Sequence, residues 1–335
     1  MIAAPDQLPS SNNALPQAVG AIAIVGATAS GKTATSVELA SLLALRGIEC
    51  EIISADSRQL YRHLTIGTAK PSQQELARVP HHFIDCRNPD EMCSAGEFGA
   101  EAAQILAGIR ERGKLPLIVG GAGLYLRALT DGFFDETAVV EKGANYEQDI
   151  EVLRDRLNTR LEADGYEALY AELRTIDPAS ASKYAERNPR RIIRALEYYY
   201  ATGTPLSIAH QTSHVERNFT TQFFGVEVER HELYKRINAR AEVMFENGII
   251  EETASVLAMG YAPNINSLNT VGYKECLSLL RGEMSRDRAL ELTQQNTRRY
   301  AKRQLTWFRR DARIRWCAGS PKALAETMAM EILKR

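Results

Sequence analysis

Gly26 to Thr33, GATASGKT, directly follow the apolar run AIAIV and open a helical pattern. Spacing of the GxxxxGK[ST] type gathers backbone N–H groups at a helix N-terminus, where they hold phosphate oxygens. Lys32 adds a point charge there, and Thr33 offers a hydroxyl to Mg²⁺. A second chemically loaded segment is EIISADSRQ, whose apolar run ends in Asp56 and continues into Ser57, Arg58 and Gln59. A carboxylate at a strand end is ordinarily a cap or an ion-pair partner; delivered beside a phosphate loop it becomes a candidate proton acceptor. The loop alone leaves kinase, ATPase and GTPase chemistry open. NTP hydrolysis needs a further strand-end acid for Mg²⁺, and the candidate is only Asp85 after the short run HFI; a base-recognition signal and a switch-like glutamine are not evident.

These residues need a frame. AIAIVG (21–26), EIISAD (51–56), HFID (82–85) and LPLIVGG (115–121) read as buried strands, with helical patterns over 33–45, stopped by Gly47, and near 97–112. The alternation predicts an α/β fold, a P-loop parallel sheet flanked by helices, with ligand beyond the carboxyl ends of the strands, where Asp56 arrives. From Phe134 the alternation gives way to a polar helical stretch with Ile150, Leu153, Leu157 and Leu161 at helical spacing, which predicts a helical insertion over 134–200. Its last helix is punctuated by Asn188 as N-cap, Pro189 at N1 and Gly203 as stop, with Ile192, Ile193, Leu196 and Tyr200 inward. FFGVEV (223–228) returns to the sheet, after which the chain reads as mainly helical, so that 20–133 and 201–335 form one P-loop catalytic core with C-terminal helices.

With 335 residues the chain has room for about two domains, and 44% hydrophobic and 25% charged residues are ordinary for a globular protein. Residues 1–19 are rich in Pro, Ser and Asn and read as a disordered leader. No apolar run is long enough for a membrane helix, so no membrane partner is expected. Cys50, Cys86, Cys93, Cys276 and Cys317 form no CxxC pair, which argues against a zinc knuckle and a disulfide framework and for reduced thiols in a cytoplasm.

A formal net charge of −1 means that any nucleic-acid surface must be local. Two clusters qualify. One is Arg187, Arg190, Arg191 and Arg194, crowding the first turns of a helix, where the dipole disfavours cations unless an anion is bound. The other is Arg298, Arg299, Lys302, Arg303, Arg309, Arg310, Arg313 and Arg315, interleaved with Tyr300, Trp307 and Phe308. A solvated helix face is the bland alternative for such runs, as core is for the aromatics. His81 and His82 lack metal-ligand spacing and read as structural.

GATASGKT, IISADSRQLYRHLTIGTAKP, VPHHFID, PLIVGGAGLYLRAL, RNPRRIIRALE, LYKRINARAEVMFENGIIEE, VGYKE and TRRYAKRQLTWFR together resemble the bacterial tRNA dimethylallyltransferase family, from about residue 21 to the end of the last basic helix. The resemblance implies transfer of a dimethylallyl group from its diphosphate to N6 of tRNA adenosine-37, next to the anticodon, with Mg²⁺. A diphosphate leaving group needs the same nest, lysine and metal as an NTP, which accounts for a P-loop without hydrolysis machinery.

By the same resemblance, Gly26, Thr28, Ala29, Ser30, Gly31, Lys32 and Thr33, with Arg240 of RINAR, hold the donor diphosphate. Asp56 is the general base, Lys32 assists departure, and Thr33 is the metal contact. The tRNA-contacting residues are Asp56, Ser57, Arg58, Gln59, Ala122, Arg190, Arg191, Ile192, Ile193, Arg194, Asn269, Gly272, Tyr273, Lys274, Arg298, Arg299, Lys302 and Arg303. GGAGLY departs from the more familiar GGTGLY, so Ala122 lacks the hydroxyl of the family's threonine, leaving backbone approach through Gly120, Gly121 and Gly123. A monomer is expected, with tRNA and dimethylallyl diphosphate as partners. The competing expectation is a nucleotide or small-molecule kinase using the same loop, a reading that leaves the two arginine clusters unexplained.

Overall fold

The computed structural model describes residues 20–132, 146–184, 188–212 and 217–334; the leader 1–19, Phe134, Arg187 and the side chain of Ile150 lie outside them. In sequence order the elements are β1 (Ala21–Val25), α1 (Lys32–Ala44), β2 (Cys50–Ser54), α2 (Gln73–Arg78), β3 (His81–His82), α3 (Ala95–Glu111), β4 (Leu115–Gly120) and α4 (Gly123–Thr130). Next come α5 (Tyr146–Ile176), α6 (Pro178–Lys183), α7 (Pro189–Thr202) and α8 (Leu206–Thr212). Then follow β5 (Thr221–Glu227), α9 (Arg230–Glu246), α10 (Ile249–Ala258), α11 (Tyr273–Leu280), α12 (Arg286–Phe308), β6 (Ile314–Ala318) and α13 (Pro321–Leu333). They fall into two compact units, one made of the segments up to Thr130 and from Asn218, the other of Asp131–Arg217.

In the first unit the six strands form one sheet in the order β3-β2-β4-β1-β5-β6, and every adjacent pair is parallel. β1 is buried on both faces because its side chains alternate: Ala21, Ala23 and Val25 enter one core, Ile22 and Ile24 the other. Ile24 is opposite Val119 of β4 and Phe224 of β5, so the loop after β1 emerges at the middle of the sheet.

Two strand expectations need correction. The strand read over 82–85 is only His81–His82, since Phe83 and Asp85 take positive φ values of 64° and 51° and leave the ladder. The region after 228 is not wholly helical: β6 adds an edge strand beside β5. That strand lies inside the second basic cluster and draws its end into the framework. Arg309 pairs with Glu227, Arg313 pairs with Asp311 and stands 4.5 Å over the Phe223 ring, and Arg315 pairs with Glu331.

At the end of the sheet opposite the phosphate loop, the buried Glu51 carboxylate accepts hydrogen bonds from Arg112 at 2.8 Å and lies 2.8 Å from His82 and 3.3 Å from Lys114. Burial pushes its pKa up, but hydrogen bonds from Arg112, His82 and Lys114 outweigh this and bring it down to about 2. A depressed carboxylate contributes stability above its unfolded value of 4.5 that disappears as pH falls toward 2. Glu51→Gln is therefore expected to lose ~3 kcal/mol at pH 7 and to flatten the acid limb of the stability profile, measured by urea unfolding at several pH values.

Gly120, at the end of β4, is where the fold admits no side chain: a Cβ there would lie 2.0 Å from the Ala55 carbonyl oxygen. Backbone hydrogen bonds from Ala55 to Val119 (2.8 Å) and from Ala122 to Ala55 (3.1 Å) hold the two strand ends this close. Gly120→Ala is expected to destabilise the protein at or above the top of the ~1–3 kcal/mol range for overpacking, read as a lowered urea midpoint, because the obstacle is backbone.

In the second unit, α5 is broken at Gly165 (φ 74°), and Leu157, Leu169, Leu173, Ile192, Leu196 and Tyr198 form its core. α7 starts on Asn188, whose side chain accepts the Arg190 N–H at 3.1 Å, has Pro189 in its first turn, and stops at Gly203 in the left-handed conformation (φ 68°). Tyr200, expected inward, is exposed, and Tyr198 takes the core position. Ile192 and Ile193 are 1% and 7% exposed, so their side chains are core and not contact surface. Arg190 and Arg191 are exposed, whereas Arg194 is half-buried and pairs with Glu197 at 3.3 Å. Among the described residues no helix is long and apolar enough to cross a membrane.

Candidate active site

The loop after β1 takes backbone conformations suited to few residues: Gly26 at φ 152°, Ala29 at φ 62° and Gly31 at φ 94°. Gly31 starts α1 with no side-chain cap, so the first-turn amides are not engaged by a capping side chain. Ser30 Oγ is buried and has no hydrogen-bond partner. Lys32 Nζ donates to the Ala27 carbonyl at 2.6 Å, folding the ammonium back over the loop. Burial lowers the Lys32 pKa to about 8, with Arg240 contributing in the same direction and Asp56 opposing it. Burial likewise lowers the Arg240 pKa, again opposed by Asp56. Two buried cations thus converge on the loop, with the Asp56 carboxylate acting on both.

Asp56 lies two residues beyond β2. Its Oδ1 accepts the Arg58 N–H at 2.9 Å, an Asx-type turn that starts the DSRQ segment away from the sheet. Gln59 accepts from Ser54 Oγ at 3.0 Å and donates to the Ala69 carbonyl at 3.0 Å, tying that segment to the 68–69 turn. Across the gap, Arg240 on α9 donates to Thr28 Oγ1 at 3.0 Å, and Gln304 on α12 accepts the Thr28 N–H at 2.8 Å.

Two cavities meet here. The first, about 340 Å³, is lined by Thr28, Ala29, Gly31, Lys32 and Thr33 of the phosphate loop and by Asp56. The second, about 280 Å³, is lined by Ser57, Arg58, Asn269, Thr270, Val271 and Arg303, among others. Thr28, Asp56, Thr68, Arg240 and Tyr300 line both, so a carboxylate and a guanidinium stand on the wall between the glycine-rich loop and a separate recess. Tyr300, weighed as core from the sequence, is half-buried on that wall; burial and the nearby Asp56 charge push its phenol up to about 12.

Other sequence-derived residues are distributed unevenly. Lys274, Arg299 and Lys302 are exposed, and Arg303 stands 5.8 Å over the Tyr300 ring. Arg298 donates to Asn238 Oδ1 at 2.5 Å and ties α12 to α9. Gly272 and Tyr273, expected to touch RNA, are buried instead. The Tyr273 hydroxyl donates to Glu252 at 2.5 Å and accepts the Gly67 N–H at 3.0 Å, while Gly272 (φ 99°) starts α11. Ala122 is half-buried with its N–H on Ala55. Of the three glycines in this segment Gly120 lines the first cavity, whereas Gly121 and Gly123 line neither, and added Cβ atoms there would lie 2.2 Å from Gln304 and 2.1 Å from Trp307. Asp85 lines neither cavity and pairs with Lys70 at 2.5 Å.

Sequence reasoning missed three contributors. Gln304 was hidden inside a run read as basic and RNA-facing. Thr68, on the shared wall, has no motif of its own. Glu252 accepts the backbone N–H groups of Thr65 (2.9 Å), Ile66 (3.0 Å) and Gly67 (3.4 Å), an anchor between segments nearly two hundred residues apart. Its membership in the GIIEE block was the available signal.

The family model described as IPP transferase matches residues 59–311, more than half of the chain. The tRNA dimethylallyltransferase of Salinibacter ruber is 43% identical over 314 residues, covering 93% of this chain and 91% of the relative. The tRNA dimethylallyltransferase 2 of Geotalea uraniireducens is 42% identical over 300 residues, covering 88% and 91%. Among solved structures, the tRNA isopentenylpyrophosphate transferase of Bacillus halodurans superposes with a TM-score of 0.66 at 36% identity, covering 93% of this chain and 96% of that one. A eukaryotic dimethylallyltransferase captured acting on tRNA gives a TM-score of 0.73 at 27% identity, covering 89% and 73%.

Proposed function

Since this chain belongs to the IPP transferase family, alongside named tRNA dimethylallyltransferases, we propose that it transfers a dimethylallyl group from dimethylallyl diphosphate to N6 of adenosine-37 in tRNA. The observation that carries the reading is the shared wall, with Asp56, Arg240, Thr28 and Tyr300 between the phosphate nest and the second recess. A donor diphosphate lies against the amides of residues 29–33 and Lys32. The flipped-out adenine enters the recess beside Arg58, Asn269 and Arg303. As the N6–C bond forms, the allylic C–O bond breaks, its electron pair leaves with the diphosphate, and the N6 proton passes to the Asp56 carboxylate. Lys32 and Arg240 hold the charge developing on the leaving group.

Mg²⁺ fits the chemistry of the site. Thr33 supplies a hard oxygen donor beside the nest, and among the described residues no group of three or more His, Cys, Asp or Glu forms a protein cage. Mg²⁺ commonly takes most of its ligands from phosphate and water, and when bound it would neutralise diphosphate charge. The exposed Arg190, Arg191, Lys274, Arg299 and Lys302 are the proposed phosphate contacts of tRNA, with the helical Asp131–Arg217 unit as part of the RNA-binding surface. The names of the relatives do not favour the kinase reading.

The deciding experiment incubates the protein with unmodified tRNA, dimethylallyl diphosphate and Mg²⁺ and weighs the anticodon fragment. One added C5H8 on adenosine-37 is expected. An unchanged mass would overturn the reading, as would modification of free nucleotides in preference to tRNA.

A further inference from the structure

Gln304 lies on the inner side of α12, 6% exposed, facing away from the exposed Arg299 and Lys302. Its side-chain oxygen accepts the Thr28 N–H at 2.8 Å, and its side-chain nitrogen donates to the Gly121 carbonyl at 2.9 Å. Thr28 and Gly121 belong to the turns that follow the neighbouring strands β1 and β4. A terminal amide carries a donor and an acceptor in one rigid plane, so these two bonds fix its orientation. The fit is close: a side chain at Gly121 would meet the Gln304 nitrogen 2.2 Å from its Cβ. Thr28 is held a second time through its hydroxyl, by Arg240 at 3.0 Å.

We propose that Gln304 is a positioning residue for the donor diphosphate. It takes the Thr28 amide out of the set available to the ligand and pins the entry corner of the phosphate loop against α12. The amides from Ala29 onward are thereby left aimed at the leaving group. This role rests on the transferase reading of the site, and it differs from the RNA contact that the basic run around Gln304 suggests. Gln304 is 6% exposed, lines the first cavity but not the second, and commits one hydrogen bond from each polar atom to Thr28 and Gly121, so its amide is turned toward the loop and away from the outer face of the helix.

The test compares Gln304→Met, which keeps the bulk and removes both bonds, with Gln304→Asn, which keeps the amide but is too short to span both partners. Steady-state kinetics on tRNA and dimethylallyl diphosphate are combined with calorimetric binding of inorganic pyrophosphate. Both variants are expected to raise the donor KM and weaken pyrophosphate binding by about tenfold or more, the equivalent of one lost buried hydrogen bond, with the tRNA KM little changed. A raised tRNA KM with unchanged pyrophosphate affinity would overturn the proposal in favour of RNA contact. A lowered thermal midpoint with unchanged pyrophosphate affinity, measured where the variant is folded, would reduce Gln304 to a packing role. If Gln304→Met does not fold, Gln304→Asn carries the comparison. Failure of the transferase reading is separately visible, as wild-type protein that binds pyrophosphate but alkylates no tRNA.

Discussion

Replacing Asp56 with Asn is expected to slow single-turnover alkylation by ~10²–10⁴-fold while tRNA binding, measured by filter retention, changes little. The lone pair of an adenine amino group is delocalised into the ring, so attack on the allylic carbon leaves a positive nitrogen unless its proton is taken as the bond forms. Asn keeps the size of Asp56 and can keep the acceptor for the Arg58 N–H, which in the wild type spans 2.9 Å. The substitution therefore removes proton acceptance with little change in the turn. Asp56→Ala is expected to lose as much rate and, in addition, the turn.

A second route for the effect must be separated. Asp56 raises the pKa of Lys32, so its loss moves that lysine further below about 8 and reduces its charged fraction near neutral pH. Assaying Asp56→Asn at least one pH unit lower refills Lys32. Recovery of the rate there would mean that Asp56 acts through Lys32 and would remove it as the base; a persistent deficit supports direct proton transfer.

Lys32→Met is expected to lower kcat/KM for the donor by roughly 10²–10³-fold, the scale seen when one preorganised donor is removed from a developing oxyanion. The wild-type protein carries a pH signature of the same residue. Burial, the dominant cause, brings Lys32 down to about 8, so above that pH the free site is increasingly neutral. A bound diphosphate favours the charged form and raises the pKa. Binding then takes up a proton, and pyrophosphate affinity falls by up to about tenfold per pH unit between about 8 and the raised value. Pyrophosphate titrates too, so the diagnostic quantity is the difference between wild type and Lys32→Met across that range. Parallel profiles for the two proteins would exclude Lys32 as the titrating contact.

Much of this site was legible without coordinates. GATASGKT carries its own backbone geometry, since positive φ at Gly26 and Gly31 and a Lys at the start of α1 are local properties. Asp56 was recognisable from an apolar run ending in an acid, and the helix limits at Asn188, Pro189 and Gly203 from capping chemistry that spans a few residues. Where reading failed, burial was the missing quantity. Tyr273 looked like a polar contact in VGYKE, yet it is fully buried with its hydroxyl on Glu252 and Gly67, partners from two other segments. β6 was hidden because IRWCA is short, lies at an edge and sits in a basic run, so neither length nor alternation distinguished it.

Sequence by itself thus determined the glycine-rich loop, the strand-end acid, the parallel α/β order and the well-capped helix of the insertion, because each depends on contacts within a few residues or on hydrophobic period. Tertiary structure alone decided which side of the late basic helix meets the loop, that Gly120, Gly121 and Gly123 make room for Ala55, Gln304 and Trp307, and that Asp56 and Arg240 share one wall. Those relations join positions far apart along the chain. No local propensity encodes them; they follow from how close-packed layers bring distant segments within van der Waals reach.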